Sequence, residues 1–219
     1  MKNLNDKALF LGIVTASVTH EIQNVFAIIK ETSGLMEDFI KMNQAGGLPD
    51  IEDKLAKCLE TIKSQAYRGV KLTSGLNGFA HTPDNTLCSI NVIESIEKIL
   101  AVTDRIFKLK NVTVSVIGCN TPCSIVTDPV MFQMAVFSCL ECLVDLFNKP
   151  DTISMEIKTL ENQTALQFSC SQSLLKEEGY QEKLNQNRHW ITTCNLCQQI
   201  NLKAKLSSST PPNILMFLP

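Results

Sequence analysis

The feature that most constrains this chain is the stretch from residue 4 to residue 43, which contains no proline. Within it Val18, Ile22, Val25, Ile29, Met36 and Phe39 recur at alternating steps of three and four, with Thr32 holding one place. That period commits the segment to one long amphipathic helix with a heptad-like seam. The run ends in "NQAGGLPD", where two glycines and a proline stop it. A second periodic run spans Ile51 to Phe79, with Leu55, Leu59, Ile62, Ala66, Leu76 and Phe79 near one face. Two such helices joined by a short turn form a helical hairpin. A lone hairpin cannot bury both seams. Pairing with a second copy across a two-fold axis buries them in a four-helix bundle, so the sequence predicts a homodimer.

Residues 80–86, "AHTPDNT", read as the change of character, and the predicted organisation is a helical domain over 1–80, a linker over 81–87 and an α/β domain over 88–219. Past the linker, "CSINV" reads as a strand and "IESIEKILAVTDRIF" as a helix. "VTVSVIG" and "CSIVT" read as strands on either side of the turn "CNTP". "DPVMFQMAVFSCLECLVDLF" reads as a helix with Asp128 as its N-cap and Pro129 at its first position. "TISMEIKTL" and "TALQFSC" alternate as a hairpin pair. Residues 171–187 show little pattern; a helix near His189–Ile200 and strands "LKAKLS" and "NILMFL" close the chain. The expected fold class is therefore α plus α+β: a dimerising helical hairpin, then an α/β sandwich with helices on one face of a mixed sheet.

The net charge of -2 offers no electrostatic pull toward nucleic acid or an anionic membrane surface. No apolar run in the sequence reads as a membrane span, and "MKNLNDKALF" lacks a signal-peptide pattern. The expected setting is cytoplasmic, with no membrane and no nucleic-acid partner. Nine cysteines in such a setting read as free thiols. Two CxxC pairs, Cys139/Cys142 and Cys194/Cys197, fall in helical runs rather than on the turns a zinc site uses, so small buried hydrophobes are the preferred reading.

The chemistry concentrates in "SVTHEIQNVFAII", residues 17–29. His20 lies between the seam residues Val18 and Ile22, so it points away from the apolar stripe. A neutral imidazole is a good nucleophile toward phosphorus. Glu21 is placed to accept the imidazole N–H and fix the tautomer, and Asn24, one turn beyond, to orient a water or a phosphoryl oxygen. His81 and His189 receive no catalytic role.

"ALFLGIVTASVTHEIQNVFAII" resembles the phosphoacceptor helix of sensor histidine kinases, on the strength of Leu11, Gly12, Ala16, His20, Glu21, Ile22, Asn24 and Ile29. "RGVKLTSGLNGFA" resembles the end of that family's second helix, and the element order from Cys88 onward resembles its ATP-binding domain. Val25 stands where the family has a proline, which removes a kink. The two asparagines with which the family's helix engages magnesium and ATP fall at Ser138 and Cys142, or, shifted by one, at Phe137 and Glu141. "SCSQSLLKEEG" lacks the family's aspartate and glycine pair, and "LNQNRHWITT" lacks the glycines of its phosphate loop. The resemblance thus implies a degenerate ATPase-like domain with no cofactor of its own.

What it implies in function is histidine phosphotransfer in a two-component phosphorelay. His20, Glu21 and Asn24 are the catalytic set, and His20 exchanges a phosphoryl group with receiver-domain aspartates of response regulators, with Mg²⁺ held by the partner. Dephosphorylation of a response regulator is a further activity of the same residues. Ala16, Phe26 and Ala27 are the candidate receiver contacts. Val25 shares that neighbourhood but reads rather as core. A divergent kinase that still binds ATP and a silent module that sequesters a regulator are the alternatives.

Overall fold

The computed structural model describes residues 2–84, 86–117, 123–146, 151–160, 163–170, 180–207 and 213–219. Helix α1, Lys2–Gly46, and helix α2, Ile51–Ala80, form the hairpin, and α1 runs unbroken through Val25. The reversal between them uses left-handed backbone at Gly47 (φ 82) and at Asp50 (φ 57). Glycine adopts that conformation freely, which is why the break falls at "GGLPD".

A 3-10 turn at Thr82–Asp84 leads into the α/β unit. Its elements are β1 (Cys88–Asn91), α3 (Val92–Lys108), β2 (Thr113–Ile117), β3 (Ser124–Thr127), α4 (Pro129–Leu146), β4 (Thr152–Leu160), β5 (Gln163–Cys170), α5 (Tyr180–Gln186), α6 (Arg188–Gln199), β6 (Lys203–Leu206) and β7 (Ile214–Phe217). The helix starts follow local chemistry. Asn91 Oδ1 accepts from Glu94 N–H at 3.2 Å, Asp128 Oδ1 accepts from Met131 N–H at 3.0 Å, and Asn187 Oδ1 accepts from His189 and Trp190 N–H.

The main sheet has the order β2-β4-β5-β7-β6, with β2 and β4 parallel and the remaining pairs antiparallel. The two strands flanking "CNTP" do not pair with each other. β2 joins β4, while β3 pairs antiparallel with β1 in a separate two-stranded ladder. Strand alternation shows which side chains face inward but carries no information on the neighbour, so this pairing was not legible locally. The turn residues 118–122 lie outside the described residues, as do 171–179 in the stretch of little pattern. The described end of that stretch holds α5.

Ile153 and Met155 of β4, Leu166 and Phe168 of β5, and Ile214 and Met216 of β7 are fully buried in one core with α3, α4 and α6. Helix α4 is buried at every position except Phe137, Asp145 and Leu146. By length and composition it could cross a membrane, which the sequence reading had excluded of any segment. Its apolar surface is instead enclosed by the protein, as befits a central core helix.

The hairpin and the α/β unit share this core. Phe10, Val14 and Val18 on α1 and Phe79 on α2 are buried within the single chain. Helix α3 closes over them: a Cβ added at Gly75 would stand 3.6 Å from Val102 Cγ1. Phe10 meets Phe79 edge to face with centroids 5.8 Å apart and Phe137 at a tilt at 5.7 Å, and Phe137 continues to Phe107 at 5.7 Å. Lys7 is ion-paired to Asp128 at the head of α4. The upper part of the seam is therefore covered by the chain's own second unit. Exposed apolar side chains remain on the hairpin at Phe26, Ile40, Leu59 and Val70.

Candidate functional site

His20 and Asn24 are exposed on α1, one helical turn apart, with His20 on the side away from the buried Val14, Val18 and Val25 and Asn24 lateral to them. Ala16 and Ala27 extend the side on which His20 stands and are exposed as well. Phe26 is 65% exposed but lies on the adjoining flank, in line with Ile22 and Ile29. Val25 is 1% exposed and packs against α2 at Gly69, so it is core.

Glu21 is only partly exposed, and its carboxylate accepts a hydrogen bond from Arg68 Nη2 on α2. Among the described residues no hydrogen bond joins His20 to Glu21 or to Asn24. The structure thus brings His20 and Asn24 to one surface and turns Glu21 toward the second helix. Arg68 is the residue that sequence reasoning missed. It opens the segment "RGVKLTSGLNGFA", but nothing in that segment alone states which α1 residue it meets.

On α4, both registers for the asparagine pair are occupied by internal contacts. Ser138 is 5% exposed and its hydroxyl donates to the His189 carbonyl oxygen at 2.9 Å. Cys142 is wholly buried. In the shifted register, Phe137 belongs to the aromatic chain, and Glu141 is buried and ion-paired with Lys110. Helix α6 packs along α4 and covers Cys142. A cavity of ≈ 700 Å³ remains at the edge of that contact, lined by Phe10 and Ile13 of α1, Met134, Phe137 and Ser138 of α4, and His189 of α6, so one candidate position of each register borders it.

The chain resembles, in three dimensions, the ATP-binding domain of PrrB from Mycobacterium tuberculosis, with a TM-score of 0.50 and 14% identity over 62% of this chain and 98% of that one. The α/β unit has the fold of a histidine kinase ATP-binding domain. The catalytic domain of the histidine kinase ThkA matches with a TM-score of 0.49 and 9% identity over 61% of this chain and 96% of the other. The Acinetobacter baumannii histidine kinase AdeS matches with a TM-score of 0.47 and 8% identity over 86% and 94%. No family model and no curated protein matches the sequence.

The titratable groups around α4 and α6 are shaped by burial. Burial pushes the His189 imidazole below its ordinary value of 6.5, against the opposing pull of Asp145 and Glu141. Cys139 and Cys142 on α4, Cys170 at the end of β5, and Cys194 and Cys197 on α6 gather about one interface, where their charges would repel. Burial pushes Cys142, Cys170 and Cys197 up to about 12 and raises Cys139 well above its ordinary value. Among the described residues no group of three or more His, Cys, Asp or Glu is arranged to hold a metal ion. The thiols fill space as small apolar groups.

Proposed function

We propose that this chain is a histidine phosphotransfer protein of a two-component phosphorelay, in which His20 exchanges a phosphoryl group with receiver-domain aspartates without ATP. One observation carries the reading: His20 stands exposed on α1, while the side chains in both candidate registers for nucleotide ligands on α4 make contacts within the protein, Ser138 with His189, Glu141 with Lys110 and Cys142 in the core. Asn24 shares the face of His20 and is placed to orient a phosphoryl oxygen or a water, and Ala16 and Ala27 border the histidine where a receiver would seat, with Phe26 beside them. The Mg²⁺ for aspartyl chemistry belongs to the receiver.

The contact between the two units supports relay over kinase action. A kinase must carry its nucleotide domain to the histidine, whereas here Phe10, Phe79, Phe137 and the Lys7–Asp128 pair fasten that domain to the upper hairpin. The exposed Phe26, Ile40, Leu59 and Val70 support pairing of two hairpins through their lower halves into a four-helix bundle. The cell compartment this implies is the cytoplasm, where response regulators act.

The test is incubation with a phosphorylated receiver bearing a radiolabelled phosphoryl group. Label reaching this chain, and lost in His20→Ala, supports relay. Accelerated release of inorganic phosphate with the chain unlabelled supports a phosphatase, and binding without effect on the phosphoryl group supports a silent module. A divergent kinase is favoured by the ≈ 700 Å³ cavity beside α4 and α6. Micromolar ATP affinity by calorimetry would establish that reading over ours.

A further inference from the structure

The Glu21 carboxylate accepts from Arg68 Nη2 across the hairpin, with side-chain exposures of 13% for Glu21 and 45% for Arg68. The reach depends on Gly69. A Cβ there would stand 3.3 Å from Val25 Cγ1, so the two helices approach closely at this level. The pair lines a groove between the hairpin and α3 whose other charged walls are Lys71, Glu97, Asp104 and Lys108. Lys108 is already engaged with Asp104. Arg68 is the cation that meets Glu21.

We propose that Arg68 is a positioning residue for the His20 site, holding the Glu21 carboxylate on α2 and away from the imidazole. Its functional meaning rests on the phosphotransfer reading of His20. A neutral imidazole carries its proton on Nδ1 or on Nε2, and the hydrogen bond made at one nitrogen decides which nitrogen is free to react. Consecutive side chains diverge on a helix. Only a carboxylate not bound elsewhere has the freedom to swing back to its neighbour. While Arg68 holds Glu21, no carboxylate among the described residues is bonded to His20 to select its tautomer. Released, Glu21 accepts the Nδ1–H and leaves the Nε2 lone pair available to phosphorus. Arg68 thereby sets the tautomer balance of the phosphoacceptor, and an event that draws Arg68 away switches it. Arg68 is nearly half exposed and the pair lines an open groove rather than the core, so substitutions at these two positions remove no core packing and the variants below fold.

The experiment is NMR of ¹⁵N-labelled imidazole in the full unphosphorylated chain, for wild type, Arg68→Gln, Arg68→Lys and the double variant Arg68→Gln/Glu21→Gln. Arg68→Gln should shift the His20 ring resonances toward the Nδ1–H form. Arg68→Lys, which keeps the cation, should stay near wild type, and the double variant should return to it. Unchanged resonances in Arg68→Gln, or a shift that persists in the double variant, overturn the proposal. Phosphoryl uptake from a phosphorylated receiver is followed in parallel and should be faster in Arg68→Gln than in wild type. If wild type takes up no label, the phosphotransfer reading fails while the ring resonances still decide what Arg68 does.

Discussion

The Ser138 hydroxyl donates to the main-chain carbonyl oxygen of His189 at 2.9 Å, so a side chain of α4 is bonded to the first turn of α6. In the fold that this α/β unit shares, the corresponding side of α4 is the one the sequence reading assigns to nucleotide. Here that hydroxyl is spent on the neighbouring helix, and Cys142, one turn further, is in the core.

Restoring the amides should therefore fail. Ser138→Asn together with Cys142→Asn is expected to leave calorimetric ATP binding undetectable and to lower stability. An amide at the wholly buried position 142 finds no partner, which costs about 3 kcal/mol. Urea unfolding followed by circular dichroism measures the loss.

Phe10 links the hairpin to the α/β unit through Phe79 and Phe137 and is 6% exposed. Phe10→Ala should cost about 3 kcal/mol through lost burial and the cavity left between the helices. His20→Ala, at an exposed position, should change stability by less than about 0.5 kcal/mol while removing the proposed phosphoacceptor. Thermal unfolding of the two variants side by side separates a scaffold residue from a site residue.

His189 makes stability depend on pH with a definite sign. Its folded value lies below the ordinary 6.5 that the unfolded chain retains, so the unfolded chain binds more protons in the window between the two. The contribution is complete above 6.5 and is lost as pH falls through that window toward the lowered folded value. His189→Gln should flatten this part of the profile of unfolding midpoint against pH, measured from neutrality downward.

Cys142, Cys170 and Cys197, pushed up to about 12 by burial, should resist iodoacetamide at pH 8 in the native protein and react promptly once it is unfolded in urea. Mass spectrometry of the alkylated peptides reads the difference. Rapid native labelling of these three would show that the α4–α6 interface opens.

Much of this molecule was legible one residue at a time. The seam at Val18, Ile22, Val25 and Ile29 foretold α1, and "GGLPD" foretold its end, because period and backbone freedom are local properties. Asp128 and Pro129 foretold the start of α4 for the same reason. The exposure of His20 followed from its place between Val18 and Ile22. The parallel pairing of β2 with β4 was not legible, because alternation fixes a face and not a neighbour. Nor was the burial of Val18 in the core shared with the α/β unit, since the seam alone predicted another hairpin as its cover, or that of Phe10 and Val14, which the seam did not include.

The sequence by itself determined that two long helices precede a mixed α/β unit, that a histidine stands out from the first helix, and that the asparagines a nucleotide helix uses are missing. Each of these depends on the order of side chains along one element. Only the tertiary structure decided that Ser138 bonds to His189, that the upper hairpin is fastened to α4 through Phe10 and Lys7, and that Glu21 turns to Arg68. Those contacts join residues far apart in the chain. They exist because the close approach of α1 and α2 at Gly69, and the packing of α6 on α4, bring groups together that no local pattern could pair.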